Sequence, residues 1–329
     1  MNNEIITVSV CMITYNHELY IKDALEGVLM QENNFSIELV IGEDNSTDNT
    51  RQICKEYASK YSQIKLLPLE KNLGVIQNFL RTLKSCKGEF IALCDGDDYW
   101  TDPLKLQKQV AFLQDNKEYG LVYTDALIYD QESESFTNTF NYYSAEKSVS
   151  GNIFHKLIFK NFIQTLTSLS RRESMMDALD CLENSIFSFK MGDYPLWLEI
   201  SRVSKVKYID DITAVYRVLA NSASSRNDIV KRYEFDQSVF EVQLYFCKKY
   251  KIFDTQKIIE SNYYRFLCNK AFDLKIKGVE KHIVHSFVPN SIRDKIIKFS
   301  FKSNFADLTV RLLFRVFSIY RMLIKNLQK

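Results

Sequence analysis

The segment ITVSVCMIT (6–14) is β-branched and almost wholly apolar, the pattern of a strand covered on both faces in a parallel sheet. HELYIKDALEGVLMQ (17–31) follows with apolar residues at helical spacing, and IELVIGED (37–44) predicts a second strand. In NSTDNTRQICKEYASKY (45–61) a run of capping residues leads into a helix. IKLLPL (64–69), EFIALCD (89–95) and YGLVYTDALIYD (119–130) predict further strands, and VIQNFLRTLKSC (75–86) a third helix. A fourth helix is expected to open at Pro103, with Asp102 as its N-cap. Strands alternating with helices imply an α/β fold built on a mostly parallel, doubly wound, Rossmann-like sheet. The stretch 131–150 is polar and poor in aliphatic residues, so it is expected to be a loop or insertion. Residues 151–225 mix helical and strand patterns, and from about 227 the pattern is helical throughout.

Composition narrows the class. The chain has 329 residues and is 46% hydrophobic, with only 9 Gly and 4 Pro, which excludes disordered and collagen-like proteins. A net charge of +2 does not point to nucleic acid, but the balance is uneven. From Lys251 onward 16 Lys/Arg stand against 6 Asp/Glu, about +10, which leaves the remainder at about −8. The 7 cysteines are scattered and form no CxxC pair, so neither a zinc site nor a disulfide framework is expected. The opening MNNEIITVSV lacks the basic, apolar and small-residue succession of a signal peptide, and no apolar run is long enough to span a bilayer. A cytoplasmic protein is expected.

In open α/β sheets ligands bind beyond the carboxyl ends of the strands. The polar clusters fall at those ends: Thr14, Tyr15 and Asn16 after the first strand, Glu43 and Asp44 after the second, and DGDD (95–98) after EFIAL. Three carboxylates within four positions repel one another, so a positive partner is expected among them. Hard divalent cations take oxygen ligands and often only one or two carboxylates plus substrate phosphates, which suits a D-x-D at a strand end. Gly96 within it allows a sharp turn and close approach. The competing reading makes these acids helix-entry residues that complement the next helix N-terminus. Asp102 lies nearer that helix and can cap it without Asp95 or Asp97. For Ser46 to Asn49, turn and cap roles are the favoured reading.

With these residues in view, the chain resembles the family 2 glycosyltransferases of GT-A fold, of the kind that builds bacterial surface polysaccharide. The matching pieces are SVCMITYNHELYIKDALEGVLMQ, EDNSTDNT, KNLG, KGEFIALCDGDDYW, GDYPLWLEI and VYRV, spread over roughly 8–225. The resemblance implies inverting transfer of a sugar from a nucleotide-sugar, a UDP-sugar first, to a saccharide or lipid-linked saccharide. By position it places Thr14 and Tyr15 beside the nucleotide and Asp44 at the base; at the second strand's end Glu43 and Asp44 could accept hydrogen bonds from a base or a sugar, and Asn16 and Asn72 of KNLG are expected among the donor-binding residues. Asp95 falls near the ribose or the sugar, Asp97 holds Mn²⁺ or Mg²⁺, and Asp193 of MGDYPLW is the general base. Asp193 has a second reading as a cap of the helix in YPLWLEISRV, with Pro195 in its first turn. Arg217 could fork onto the diphosphate or sit in a structural salt bridge. Relatives often carry His two residues after that Arg; here the position is Leu219, which cannot ligate. The implied division is a GT-A domain, 1–226, whose donor half is 1–130 and acceptor half 131–226, and a helical region, 227–329.

Other segments carry two readings. The loop 220–226 could order over a bound donor. Trp100 and Trp197 could stack on sugars, although single aromatics are more often core. His17, His155, His282 and His285 show no ligand spacing and receive no role. In LTVRLLFRVFSIYRMLIKNLQK (308–329) the residues Arg311, Arg315, Arg321 and Lys325 share one face opposite a wide apolar one. Such a helix could lie on an anionic membrane surface or pack on the domain. A nucleotidyltransferase would be expected to carry a Gly-rich basic phosphate loop, which TYNHELYIK is not. A saccharide-binding scaffold that has lost catalysis is the non-enzymatic alternative, with Leu219 as its main support.

Overall fold

A computed structural model describes residues 6–68, 71–139, 149–220, 228–274, 281–286, 288–291, 293–295 and 297–298. The expected terminal helix at 308–329 and all but the first residue of the loop 220–226 lie outside them. The chain divides into two compact units, 1–227 and 228–329.

The first unit begins with the predicted alternation: β1 (Val8–Thr14), α1 (Ile21–Leu29), β2 (Ile37–Glu43), α2 (Thr50–Lys60), β3 (Ile64–Leu66), α3 (Val75–Lys84) and β4 (Phe90–Leu93). These four strands run parallel in the order β3-β2-β1-β4. Their near-continuous apolar sequences follow from burial on both faces: Val8, Val10, Met12, Leu39, Ile41, Phe90 and Ala92 share one core with Ile21, Ala24, Leu25 and Val28 of α1. A two-residue strand, β5 (Tyr99–Trp100), precedes α4 (Lys105–Asp115) and the long β6 (Tyr119–Asp130). The helix α4 starts two residues later than Pro103 suggested. Asp102 still serves its entry, its carboxylate accepting the Leu104 N–H at 2.9 Å.

The polar stretch after β6 is not only a loop. Ser135–Thr139 forms β7, antiparallel to β6, with Tyr129 opposite Phe136. The turn between them is closed by Asp130, whose carboxylate accepts the N–H groups of Glu132 and Ser133, and by Glu134 in the left-handed region at φ 48°. There follow α5 (Phe154–Leu157), a 3-10 turn at Thr165–Thr167, β8 (Leu169–Arg171), α6 (Arg172–Leu182), α7 (Asp193–Val203) and β9 (Lys205–Val218). The sheet continues from β4 through β8, β6 and β9 to β5. β8 is antiparallel to both neighbours, β6 and β9 run parallel, and β5 lies antiparallel on β9. The long ladders are thus parallel, and the short strands turn the second half into a mixed sheet.

The second unit contains α8 (Ile229–Lys249), α9 (Phe253–Asp273) and α10 (Lys281–Ser286). Asp228 caps α8, accepting the N–H groups of Val230 and Lys231. Tyr233, Phe240, Tyr263 and Phe266 pack ring against ring, and Asp273 binds both Tyr233 and Arg293. Among the described cysteines none is disulfide-bonded, and all but Cys181 are buried, as a set of small apolar residues would be. Among the described residues no helix is long and apolar enough to cross a membrane.

Candidate active site at the carboxyl edge of the sheet

Parallel register brings the polar clusters to one edge. Thr14 pairs with Glu43 across β1 and β2, and Cys11 with Leu93 across β1 and β4. The chain beyond β4 therefore runs alongside the end of β1, where Gly96 donates its N–H to the Ile13 carbonyl at 2.9 Å. A Cβ on Gly96 would lie 2.5 Å from Thr14 Oγ1, so only glycine permits this approach.

The two loops after β1 and β2 are laced together. Asn16, in the left-handed region at φ 56°, donates its N–H to Ser46 Oγ and accepts the Thr47 N–H on Oδ1. Asp48 accepts the N–H groups of Glu18 and Thr50, and Glu18 in turn accepts from Asn49. Ser46 to Asn49 thus act as loop and cap residues. Glu43 is fully buried and is occupied by Arg51 and the Ser46 N–H, both at 2.5 Å. Asp44, also buried, accepts the Leu73 and Gly74 N–H groups at 2.8 and 2.9 Å, while Asn72 donates to its carbonyl. KNLG is therefore a turn folded onto Asp44. Tyr15 is exposed beside them.

The DGDD turn is held by β9. Asp98 is buried and accepts the Arg217 N–H at 2.8 Å. The Arg217 guanidinium donates to the Asp97 carbonyl at 3.1 Å, pairs with Asp23 of α1, and stacks on Tyr99 and Tyr20 with its carbon 4.5 and 5.2 Å from the ring centroids. Only 8% of Arg217 is exposed. This is the salt-bridge reading of Arg217, and the residue binds the turn that carries Asp97. The aromatic residue after the turn is core: Trp100 donates Nε1–H to the Leu166 carbonyl at 2.8 Å, and Trp197 is wholly buried as well.

Asp193 opens α7, and Asp193 Oδ2 accepts the Thr165 hydroxyl at 2.8 Å. Burial raises its pKa, against hydrogen bonds from Thr165 and from the backbone of Tyr194 and Asp193 itself that pull the other way. Asp95 is held well above the ordinary carboxylate range, first by burial and then by the negative charges of Asp97 and Asp193. Asp98 is raised likewise, by burial and then by Asp97. Asp193, far along the chain from the DGDD turn, therefore lies near enough for its charge to act on Asp95.

That environment is short of positive charge, because Arg217 is committed to Asp23. No three His, Cys, Asp or Glu side chains among the described residues are arranged to hold a metal. A hard cation here would take one or two protein ligands and complete its shell with phosphate oxygens, and partly exposed Asp97 fits that use. Two residues at this edge escaped the motif reading. His17, one position past TYN, has Nε2 3.8 Å from Asp97 Oδ2 and Nδ1 3.2 Å from Thr14 Oγ1. Its place at the end of the first strand was the available signal. Thr165, which holds Asp193, lies in FIQTLTS and carries no signal of its own.

Comparison with known proteins follows the same outline. The model of the family described as Glycosyl transferase family 2 matches residues 9–174. An uncharacterized protein of Mycobacterium tuberculosis is 35% identical over 211 residues, which cover 64% of this chain and 58% of that protein. Among solved structures, S. aureus TarS 1–349 in complex with UDP-GlcNAc superposes with a TM-score of 0.54 at 18% identity, covering 90% of this chain and 79% of that one. The mannosyltransferase PcManGT from Pyrobaculum calidifontis, in complex with GDP-Man and Mn²⁺, gives 0.55 at 14% identity, covering 86% and 79%. At these identities the two structures share the fold, a GT-A sheet flanked by helices.

Proposed function

The chain belongs to glycosyl transferase family 2, and from that premise we propose that it is an inverting glycosyltransferase. It takes a sugar from a nucleotide-sugar, with a UDP-sugar the first candidate. It passes that sugar to a hydroxyl of a saccharide or lipid-linked saccharide, the kind of acceptor used in building bacterial surface polysaccharide. The observation that carries this reading is that the short turn Thr165–Thr167, which holds Asp193 through the Thr165 hydroxyl, is itself tied through the Leu166 carbonyl to Trp100, two residues past the DGDD turn.

The donor half supplies a fixed cradle. Asp44 and Asn72 hold the KNLG turn and Asn16 ties the first two loops, and Thr14, Tyr15 and Asp95 are the further residues proposed to meet the donor. Glu43 serves from behind, fixing Ser46 and Arg51. Asp97 would hold a Mn²⁺ or Mg²⁺ ion, which supplies stabilisation of the negative charge that develops on the departing diphosphate. PcManGT with GDP-Man and Mn²⁺ and TarS with UDP-GlcNAc support a metal and a nucleotide-sugar on this fold.

Asp193 is the base that takes the proton from the acceptor hydroxyl as that oxygen attacks the anomeric carbon. The Thr165 hydroxyl fixes the orientation of the carboxylate through one of its oxygens. Inversion follows from attack on the side opposite the leaving diphosphate. A carboxylate with a raised pKa is a stronger base than an ordinary one, which suits deprotonation of an alcohol.

The test is turnover of a panel of UDP-sugars, with release of UDP measured on the wild type and Asp193→Asn. Release that depends on an added saccharide and collapses in the variant supports the reading. Undiminished release from Asp193→Asn removes Asp193 as the base.

A further inference from the structure

Beyond the acidic turn, one imidazole at this edge has no place in the reading above. We propose that His17 is a second protein ligand of the divalent cation held by Asp97, an inference that rests on the proposed donor site. His17 Nε2 and Asp97 Oδ2 stand 3.8 Å apart. That is beyond the hydrogen-bond range of about 3.2 Å, yet two metal–ligand bonds of roughly 2 Å each span it. Both side chains are about one-fifth exposed, so neither is sealed from solvent.

The ring is built into position. Its backbone N–H donates to Thr50 Oγ1 at 2.7 Å, and its carbonyl accepts the N–H groups of Tyr20 and Ile21 that start α1. The Tyr20 ring meets it edge-on at 6.4 Å. Thr14 Oγ1 lies 3.2 Å from Nδ1 and can accept Nδ1–H, the tautomer that frees the Nε2 lone pair toward Asp97. Thr14 itself is pinned by the close approach of Gly96. The residue that fixes the imidazole and the glycine that shapes the acidic turn are therefore in contact. One nitrogen and one carboxylate make a mixed donor pair, which suits Mn²⁺ better than Mg²⁺.

The test is electron spin-echo spectroscopy of Mn²⁺ bound to the full chain with UDP. A ¹⁴N modulation from a coordinated imidazole is expected in the wild type. It should change to a ¹⁵N pattern when the protein carries ¹⁵N-histidine, and vanish in His17→Gln with a roughly tenfold loss in Mn²⁺–UDP affinity. Labelling identifies the ligand as a histidine, and His17→Asn provides a second variant if His17→Gln folds poorly. Mn²⁺–UDP binding with no nitrogen modulation, or modulation that survives in a folded His17→Gln, overturns the His17 assignment alone. Absence of any Mn²⁺-dependent UDP binding overturns both this inference and the donor site on which it rests.

Discussion

The proposed role of Asp193 has two consequences that can be measured separately. As the base it must be ionised, and burial raises its pKa, so kcat/KM is expected to climb with pH through an apparent pKa above the ordinary aspartate value of about 3.9. Asp193→Asn is expected to lower turnover by about 10²–10⁴-fold while UDP binding persists. The stability effect has the opposite sign. A carboxyl whose pKa is raised in the fold contributes stability that is full below its unfolded pKa and lost as pH rises through the folded pKa. The variant should therefore melt no lower than the wild type at neutral pH, with any advantage closing toward about pH 4. Loss of turnover with lowered stability would instead point to a structural role. Single residues also mark the limit of what the sequence discloses. Asp44, Asp97 and Asp193 stand in motifs whose positions announce them. Thr165 and Asp23 act through contacts spanning 28 and 194 positions of chain, and no local pattern encodes such contacts.

The elements that were legible are those with a period. β1, β2, β4 and β6 read as apolar runs, and α1, α2 and α3 as helical spacings, because burial imposes those patterns. β5 and β8 have two and three residues, too few to show alternation, and β7 is exposed at three of its five positions. Those short strands are what reverse direction in the sheet and bring Arg217 to the DGDD turn. Two further predictions belong here. Gly96→Ala forces a Cβ against Thr14 and Ile21, so it should destabilise the chain by about 1–3 kcal/mol and impair UDP binding, readable by melting and calorimetry. In α4, Lys105 is completely buried, its Nζ 2.8 Å from Gln109 Oε1 and 4.3 Å from the Trp100 ring centroid. Burial lowers its pKa to about 7. The unfolded chain then binds the proton more readily, so stability rises with pH between about 7 and 10.4. Lys105→Met should raise the melting temperature by a few degrees near neutral pH, the gain shrinking as pH approaches about 10. A gain that is constant with pH would show that the charge on Lys105 is not its source.

At the scale of the whole molecule, the α/β unit holds the proposed site and the basic charge collects in the C-terminal part of the sequence. The composition of 308–329, basic and apolar with no acidic residue, suits an anionic membrane surface, and a lipid-linked acceptor would give that contact a purpose. Deleting 308–329 is expected to abolish co-sedimentation with vesicles rich in anionic lipid while leaving UDP binding intact. Equal sedimentation of full-length and shortened chains would place the membrane contact elsewhere or nowhere. The central claim is that Asp97 and a divalent cation together hold a nucleoside diphosphate at the carboxyl edge of this sheet. Calorimetry of UDP with Mn²⁺, with Mg²⁺ and with chelator, on the wild type and on Asp97→Ala, tests it most directly. The account predicts binding that needs the metal and disappears in the variant. Binding of equal strength in chelator, or in Asp97→Ala with metal, would contradict it.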